Sequence, residues 1–291
     1  MTWLPGKLFH KAVTLLAVVI LLFMSGCLTS PAFEGRSDQP VIVLFAPGSP
    51  LPAAGHIYAE IGAQCHARFP GCEIRWAFSE LAVVSALGSQ GLACQTPRET
   101  AKSVAAGSHS SLAWQSLHWL PGEDLAAIAA VNFGEMAVTG GAPLLSSDRD
   151  YYAVMEALEP LIRPNQPNVL VCHGDGRRGG DNRELLTLAE MLTARHPNLL
   201  VAFRNGAPGA ATALARARAL ARQSGAVHFI PFMLVPDSFL NDEVMGDGPH
   251  SWKNQVGAAR TTCAEPLGRN PRILAIYFQH LEQAVHNLLE E

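Results

Sequence analysis

Short runs rich in apolar residues alternate with longer mixed segments along most of the chain. The runs have the length of buried strands and lie at residues 41–46, 73–78, 112–119, 168–172, 199–203 and 227–235. Segments with a helical pattern lie between and after them, at residues 54–69, 80–89, 97–107, 148–163, 182–196 and 208–222. Because strands of a parallel sheet are buried on both faces, this alternation predicts an α/β fold.

The same pattern occurs in both halves of the chain, with three apolar runs in each. We therefore predict two similar doubly wound parallel-sheet domains with a cleft between them. The Pro-rich stretch RPNQP at residues 163–167 is typical of a boundary, and it divides the chain into an N-terminal domain, 40–163, and a C-terminal domain, 164–291. Residues 271–290 have the pattern of an amphipathic helix, which we expect to pack back across the two halves.

A stretch near the amino terminus does not fit this alternation. Residues 12–24 are uncharged and almost wholly apolar, and they follow Lys7 and Lys11. A helix of this length rises about 20 Å, short of the roughly 30 Å hydrocarbon core of a bilayer. The stretch is therefore typical of a secretory signal peptide rather than of a membrane span.

The residues after this stretch, Met24-Ser25-Gly26-Cys27, resemble a bacterial lipobox. In that motif cleavage precedes the cysteine, whose thiol is then lipidated. The resemblance implies a signal peptide at residues 1–26, lipidation of Cys27 and a polar tether at 27–39. The protein is then expected to be exported to the periplasm and held at a bacterial membrane only through its lipid. An ordinary signal peptide with an incidental cysteine is the alternative.

Composition and charge narrow the classes of partner. Hydrophobic residues make up 48% of the chain and charged residues 16%, which suits a globular protein with a core and excludes a disordered one. The formal net charge is −4 and there is no long basic run, so nucleic acid is not an expected partner.

Cysteine usage bears on the redox state of an exported chain. An odd number of cysteines follows Cys27, so at least one thiol stays free or pairs between chains. Cys65 and Cys72 can bridge across the end of a helix. No pair has the CxxC spacing that a structural zinc site favours.

Candidate functional residues are sought in the segments that follow the predicted strands, since ligands of open parallel sheets bind beyond the carboxyl ends of the strands. His173 follows the fourth predicted strand and precedes Gly174. A neutral imidazole at that position can hold a divalent metal or accept a proton near neutral pH. The alternative is a histidine that only caps the strand by hydrogen bonding.

Two further groups at predicted strand ends are candidate substrate contacts. Arg177 and Arg178 lie in a glycine-rich loop that lacks the order of a nucleotide-binding motif, so no nucleotide is expected. Arginines before a helix suit the carboxylates of a ligand, although a solvated loop is the alternative. His118 follows the third strand between Trp114 and Trp119, either as part of a ring-binding wall or as core packing.

Five segments, taken in order, resemble one known family. They are VIVLFAPGS (41–49), QSLHWLPGED (115–124), GGAPLLSSDRDYYAVMEAL (140–158), VLVCHGD (169–175) and FMLVPDSFLNDEVMGDGPHSWK (232–253). This set resembles the anaerobic cobalt chelatases, which are sirohydrochlorin cobaltochelatases and a branch of the class II tetrapyrrole chelatases. The resemblance extends over about residues 40–260.

The resemblance implies an activity in cobalamin biosynthesis. Such an enzyme inserts cobalt(II), or another divalent metal, into a tetrapyrrole, with the metal as substrate. It also implies a cleft between two similar domains and a possible homo-oligomer. His173 is then metal ligand, proton acceptor or both, and Arg177, Arg178, His118 and Asp237 are expected to contact the tetrapyrrole.

The chain departs from the family at the metal site. The family has three metal-binding side chains at strand ends of the second domain, and His173 retains the first. Asn205 stands where the family has a glutamate before glycine, and Ser238 stands where it has a histidine after Gly-Asp. Asn205 and Ser238 offer only weak neutral oxygen ligands to cobalt, nickel or iron(II).

This departure leaves two functions of different classes open. The first is an exported chelatase with an altered metal site. The second is a non-catalytic, lipid-anchored protein that binds haem, another tetrapyrrole or a metal on the chelatase fold, with His173 as an axial ligand. A degenerate domain without a small-molecule function is a third possibility.

Overall fold

The computed structural model describes residues 39–120, 130–174 and 182–290. The predicted signal peptide, Cys27, nearly all of the tether and both Arg177 and Arg178 lie outside these ranges. Within them, no helix combines the length and the apolar character that crossing a membrane requires.

The first half of the chain forms a five-stranded parallel sheet with the strand order β3-β2-β1-β4-β5. The central strand β1 is buried along its whole length. The strands are β1 Val41–Ala46, β2 Ile74–Phe78, β3 Cys94–Gln95, β4 Ser111–Ser116 and β5 Ala137–Gly141. The helices are α1 Pro52–Arg68, α2 Leu81–Ser89, α3 Pro97–Ala105 and α4 Asp148–Leu158, and a 3-10 helix follows at Glu159–Leu161.

The second half forms a four-stranded parallel sheet with the order β7-β6-β8-β9. Its strands are β6 Asn168–Cys172, β7 Leu199–Phe203, β8 Ala226–Pro231 and β9 Arg260–Cys263. Its helices are α5 Arg183–Arg195, α6 Ala211–Ser224 and α7 Trp252–Val256, with a π-helical turn at Phe239–Val244 and a 3-10 helix at Leu267–Arg269. The two parallel sheets with flanking helices confirm the predicted α/β fold class.

Three strands, β3, β5 and β9, were not predicted because they lack an apolar run. Strand β5 contains Gly140 and Gly141, and a Cβ atom at either position would collide with a side chain of β4, Trp114 or Gln115 respectively. Neighbouring side chains therefore fill the space that apolar residues would otherwise occupy in β5. Strand β3 has only two residues, and β9 is partly exposed.

The last helix, α8 Pro271–Glu290, returns to the first sheet. It packs against β4, β5 and α4 with buried side chains that include Ile273, Tyr277 and Leu281. One buried cluster contains residues of both halves, among them Leu44 of β1 and Leu170 of β6. The described residues belong to one compact unit, so both sheets share a core.

The cysteines of the described residues all carry free thiols, including Cys65 and Cys72, so the possible bridge between these two is not formed. The Sγ atom of Cys72 instead donates to Oε1 of Gln39 at 3.3 Å. Burial raises the pKa of the Cys65 thiol to about 12, which keeps it protonated and unreactive.

Candidate functional site

A pocket of about 80 Å³ lies where segments that follow strands of both sheets come together. The segments after β1 and β4 contribute Pro47, Gly48, Leu117 and Trp119, and the segments after β6 and β8 contribute His173 and Asp237. The remaining lining side chains are nearly all apolar: Leu144, Phe232, Met233, Leu234, Val235, Leu267 and Tyr277. The pocket is thus an apolar space with one polar corner.

His173 and Asp237 form that polar corner. Nε2 of His173 lies 2.6 Å from Oδ2 of Asp237, and the two side chains are 34% and 23% exposed. The other carboxylate oxygen of Asp237 accepts from the backbone N–H of Leu240 at 2.9 Å. Burial alone would raise the pKa of Asp237, but the hydrogen bonds from His173 and Leu240 hold that pKa below its ordinary value.

The charge on Asp237 determines the role of each ring nitrogen. An ionised carboxylate only accepts hydrogen bonds, so Nε2 of His173 carries the hydrogen in this contact. In the neutral ring the lone pair then lies on Nδ1. An imidazole oriented by a carboxylate in this way is suited to accept a proton or to bind a metal ion.

Aromatic packing holds the ring of His173 in place. Its centroid lies 4.8 Å from that of Phe239, which in turn meets Trp252 edge-on at 5.2 Å. The guanidinium of Arg204 lies over the Phe239 ring, 5.0 Å from its centroid, and pairs with Glu243. The positive charge of Arg204 also contributes to the lowered pKa of Asp237.

Asn182, which sequence reasoning did not single out, joins two of the turns around the site. Its Nδ2 donates to the backbone carbonyls of Asn205 at 3.2 Å and Ala207 at 2.9 Å. The backbone N–H of Asn205 donates to the carbonyl of His173 at 2.9 Å. Gly174 has a φ of +72°, and a Cβ there would lie 2.1 Å from the Asn205 carbonyl oxygen. The His-Gly pair therefore allows the turns after β6 and β7 to touch.

The two positions where the family's other metal ligands are replaced do not join His173 in the pocket. Asn205 and Ser238 are both exposed, and neither lines the pocket. In the parts of the chain that the structure describes, no group of three or more His, Cys, Asp or Glu residues is arranged to hold a metal. At this pocket the fold brings together two side chains with potential metal-ligand atoms, His173 and Asp237.

Of the predicted tetrapyrrole contacts, Asp237 lines the pocket, whereas the ring of His118 packs beside it. That ring lies 4.6 Å from the Phe45 ring, and its Nδ1 is 3.2 Å from Oγ of Ser116. The neighbours of His118 on either side, Leu117 and Trp119, do line the pocket. Arg177 and Arg178 lie outside the described residues.

Comparison with known proteins places this geometry in context. The model of the cobalt chelatase (CbiK) family matches residues 41–286. A sirohydrochlorin cobaltochelatase of Salmonella typhimurium is 30% identical over 246 residues, which cover 80% of this chain and 89% of the relative. The sirohydrochlorin cobaltochelatase CbiKC of Nitratidesulfovibrio vulgaris is 25% identical, and the match covers 76% of this chain and 82% of the relative.

Solved structures share the fold at low sequence identity. SirB from Bacillus subtilis matches with a TM-score of 0.53 and 12% identity. The match covers 87% of this chain and 98% of the SirB chain. CbiX, described as the terminal enzyme of siroheme biosynthesis in denitrifying bacteria, matches with a TM-score of 0.51 and 15% identity. The match covers 84% of this chain and 99% of the CbiX chain. With a family match over most of its length and two sheets whose strand ends meet at His173, the chain belongs to the cobalt chelatase (CbiK) family.

Proposed function

We propose that this protein inserts cobalt(II), or another divalent metal ion, into a sirohydrochlorin-like tetrapyrrole. The observation that carries the proposal is the 2.6 Å contact between His173 and Asp237 at the polar corner of the pocket. Family membership supports a metal chelatase, and the two named relatives are sirohydrochlorin cobaltochelatases.

His173 and Asp237 are proposed to hold the incoming metal in place of the family's three ligands. They supply one imidazole nitrogen and one anionic oxygen, both of which bind divalent cobalt, nickel or iron. Because metal–ligand bonds of this kind are about 2 Å long, an ion between the two side chains requires only a small separation of Nε2 and Oδ2. It also requires that the ring hydrogen move from Nε2 to Nδ1. Since only the neutral ring has a lone pair for the metal, metal capture is expected to weaken at low pH.

Metal insertion also requires the removal of protons from the tetrapyrrole. A divalent ion replaces two pyrrole N–H protons, which must leave the macrocycle. When Asp237 holds the Nε2 hydrogen of His173, Nδ1 is free to accept one of them and, after releasing it to water, the other. The same side chain can therefore serve as proton acceptor in one step and as metal ligand in another.

The lining of the pocket suits part of a macrocycle. Trp119, Phe232 and Tyr277 are aromatic and the other lining groups are mostly aliphatic. A volume of about 80 Å³ is small beside the roughly 300–1,000 Å³ of typical small-molecule pockets. We therefore propose that the cleft widens when the tetrapyrrole binds.

The proposal is tested with the full chain, purified in mild detergent because of its apolar residues 12–24. Sirohydrochlorin in large excess over protein is mixed with cobalt(II), and the absorption spectrum is followed against a protein-free control. We expect conversion to the metallated spectrum over many turnovers and faster than in the control.

The alternative function gives a different result in the same experiment. A spectral shift that stops at one equivalent of protein, with sirohydrochlorin or with haem, would indicate a tetrapyrrole-binding protein without insertion activity. The absence of any shift with either compound would contradict both functions.

We further propose that the chain is exported and held at a membrane by a lipid on Cys27. The match to the chelatase family begins at residue 41, so residues 1–40 lie outside it. Cys27→Ser should abolish incorporation of labelled palmitate. Cys94→Ser is the matched control. Retention of the label by Cys27→Ser would contradict the proposal.

A further inference from the structure

The wall of the pocket that comes from the first half of the chain is hydrogen-bonded to the last helix, α8. Tyr277 of α8 lines the pocket and is buried. Its hydroxyl donates to the backbone carbonyls of Leu117 at 2.9 Å and His118 at 3.2 Å. One side chain near the carboxyl terminus thus holds the segment that follows β4.

His280, one helical turn further along α8, holds the segment that follows β5. Its Nδ1 lies 2.9 Å from the carbonyl oxygen of Ala142, and its Nε2 lies 3.1 Å from Oδ1 of Asp150. The side chains of His280 and Asp150 are 17% and 7% exposed. A carbonyl oxygen and an ionised carboxylate only accept hydrogen bonds, so each offers an acceptor to one ring nitrogen of His280.

The carboxylate that His280 meets is itself held in place. Oδ2 of Asp150 accepts from Oγ of Ser146 at 2.7 Å and from the backbone N–H of Ser146 at 3.2 Å. Burial opposes the charge on Asp150, but bonds from Ser146 and Ser147 and the charge of His280 keep its pKa below the ordinary value. The contact between His280 and Asp150 is therefore buried and held by further hydrogen bonds, unlike a surface contact.

The two segments held by α8 are also bonded to each other. The backbone N–H of Leu144 donates to the carbonyl of His118 at 3.1 Å, and that of Leu145 donates to Trp119 at 3.0 Å. Leu117, Trp119 and Leu144 all line the pocket. Tyr277 and His280 thus hold three lining residues in one continuous surface.

We infer that Tyr277 and His280 are positioning residues for the tetrapyrrole. They hold the pocket wall that the macrocycle packs against, while His173 and Asp237 of the second half bind the metal. This inference rests on the proposed function, and it separates the residues that support the tetrapyrrole wall from those that bind the metal. Loss of either α8 contact should weaken tetrapyrrole binding and leave metal binding unchanged.

The test compares Tyr277→Phe and His280→Ala with two matched controls in the full chain. Tyr152→Phe changes a tyrosine that is 55% exposed, and His286→Ala changes a histidine of the same helix that is 61% exposed. For each of Tyr277→Phe and His280→Ala we expect KM for sirohydrochlorin to rise about fivefold to tenfold, as the loss of a buried hydrogen bond predicts. We expect kcat, and the KM for cobalt(II), to stay within about twofold of the values for the unsubstituted protein.

A conservative variant separates positioning from loss of fold. His280→Gln keeps a donor for the Ala142 carbonyl and should recover part of the sirohydrochlorin affinity that His280→Ala loses. Thermal unfolding of each variant is measured alongside. Parallel losses in Tm, kcat and both KM values would show a purely structural role and overturn the inference, as would unchanged KM values.

Direct titration with sirohydrochlorin keeps the test independent of insertion. If the starting protein binds the tetrapyrrole without inserting metal, the insertion proposal fails, and the dissociation constants of the variants still decide the positioning role. If the starting protein binds no tetrapyrrole, both proposals fail. If it inserts metal and the Tyr277 and His280 variants match it, only the positioning role fails.

Discussion

Replacing His173 by alanine is expected to lower the rate of metal insertion by about 100-fold to 10,000-fold, the range typical of a lost acid–base group. The substitution removes the imidazole that binds the metal and accepts a pyrrole proton. It also leaves Asp237 without the hydrogen bond that lowers its pKa. The measurement is initial insertion rate with sirohydrochlorin and cobalt(II), together with the equilibrium affinity for cobalt(II) alone.

Two further variants test whether the loss of activity is specific to the His173 side chain. His250→Ala removes an exposed histidine of the same half of the chain and should leave the rate unchanged. Asp237→Asn preserves shape but removes the charge that orients His173, so we expect a smaller loss than in His173→Ala. If His173→Ala retains the rate and the cobalt affinity of the starting protein, His173 does not belong to the site.

Restoring the family's ligands by Asn205→Glu with Ser238→His is expected to raise the affinity for cobalt(II) about tenfold to 100-fold. Both positions lie beside the proposed site, since the N–H of residue 205 bonds to the carbonyl of His173 and residue 238 follows Asp237. A carboxylate and an imidazole are far better ligands for cobalt than an amide and a hydroxyl. Cobalt affinity is measured by calorimetry and the insertion rate by absorption.

The exposure of Asn205 and Ser238 makes this experiment tractable. Because both side chains are solvent-exposed, the substitutions should leave Tm nearly unchanged. Asn205→Gln with Ser238→Asn is the matched control, since it adds volume without adding a strong ligand. A stable double variant with the cobalt affinity of that control would show that side chains at 205 and 238 do not reach the metal.

The strands that were predicted and those that were missed differ in where their apolar surface comes from. Strands β1, β6 and β7 carry it in their own residues, so their bounds agree with the predicted runs. Strand β5 contributes two glycines, and Trp114 and Gln115 of β4 occupy the space beside them. Such a strand is recognisable only once its neighbour in the sheet is known.

The residues of the site likewise differ in whether a local sequence pattern indicates them. The position of His173 at a strand end follows from local pattern, because the residue after a buried strand lies at the carboxyl edge of the sheet. Asn182 and Tyr277 carry no comparable local signal. Their hydrogen bonds run to backbone carbonyls of segments that are distant in the chain, and the identity of those segments depends on how the elements pack.

The sequence by itself determined the α/β class, the family and the candidacy of His173, because apolar periodicity and family motifs are properties of short segments. The tertiary structure decided which groups meet. Asp237 is 64 residues from His173 in sequence, yet the two touch because β8 lies beside β6 in the sheet. It likewise decided that α8 supports the pocket, since the contacts of α8 with β4 and β5 join segments that are distant in the chain and share one core.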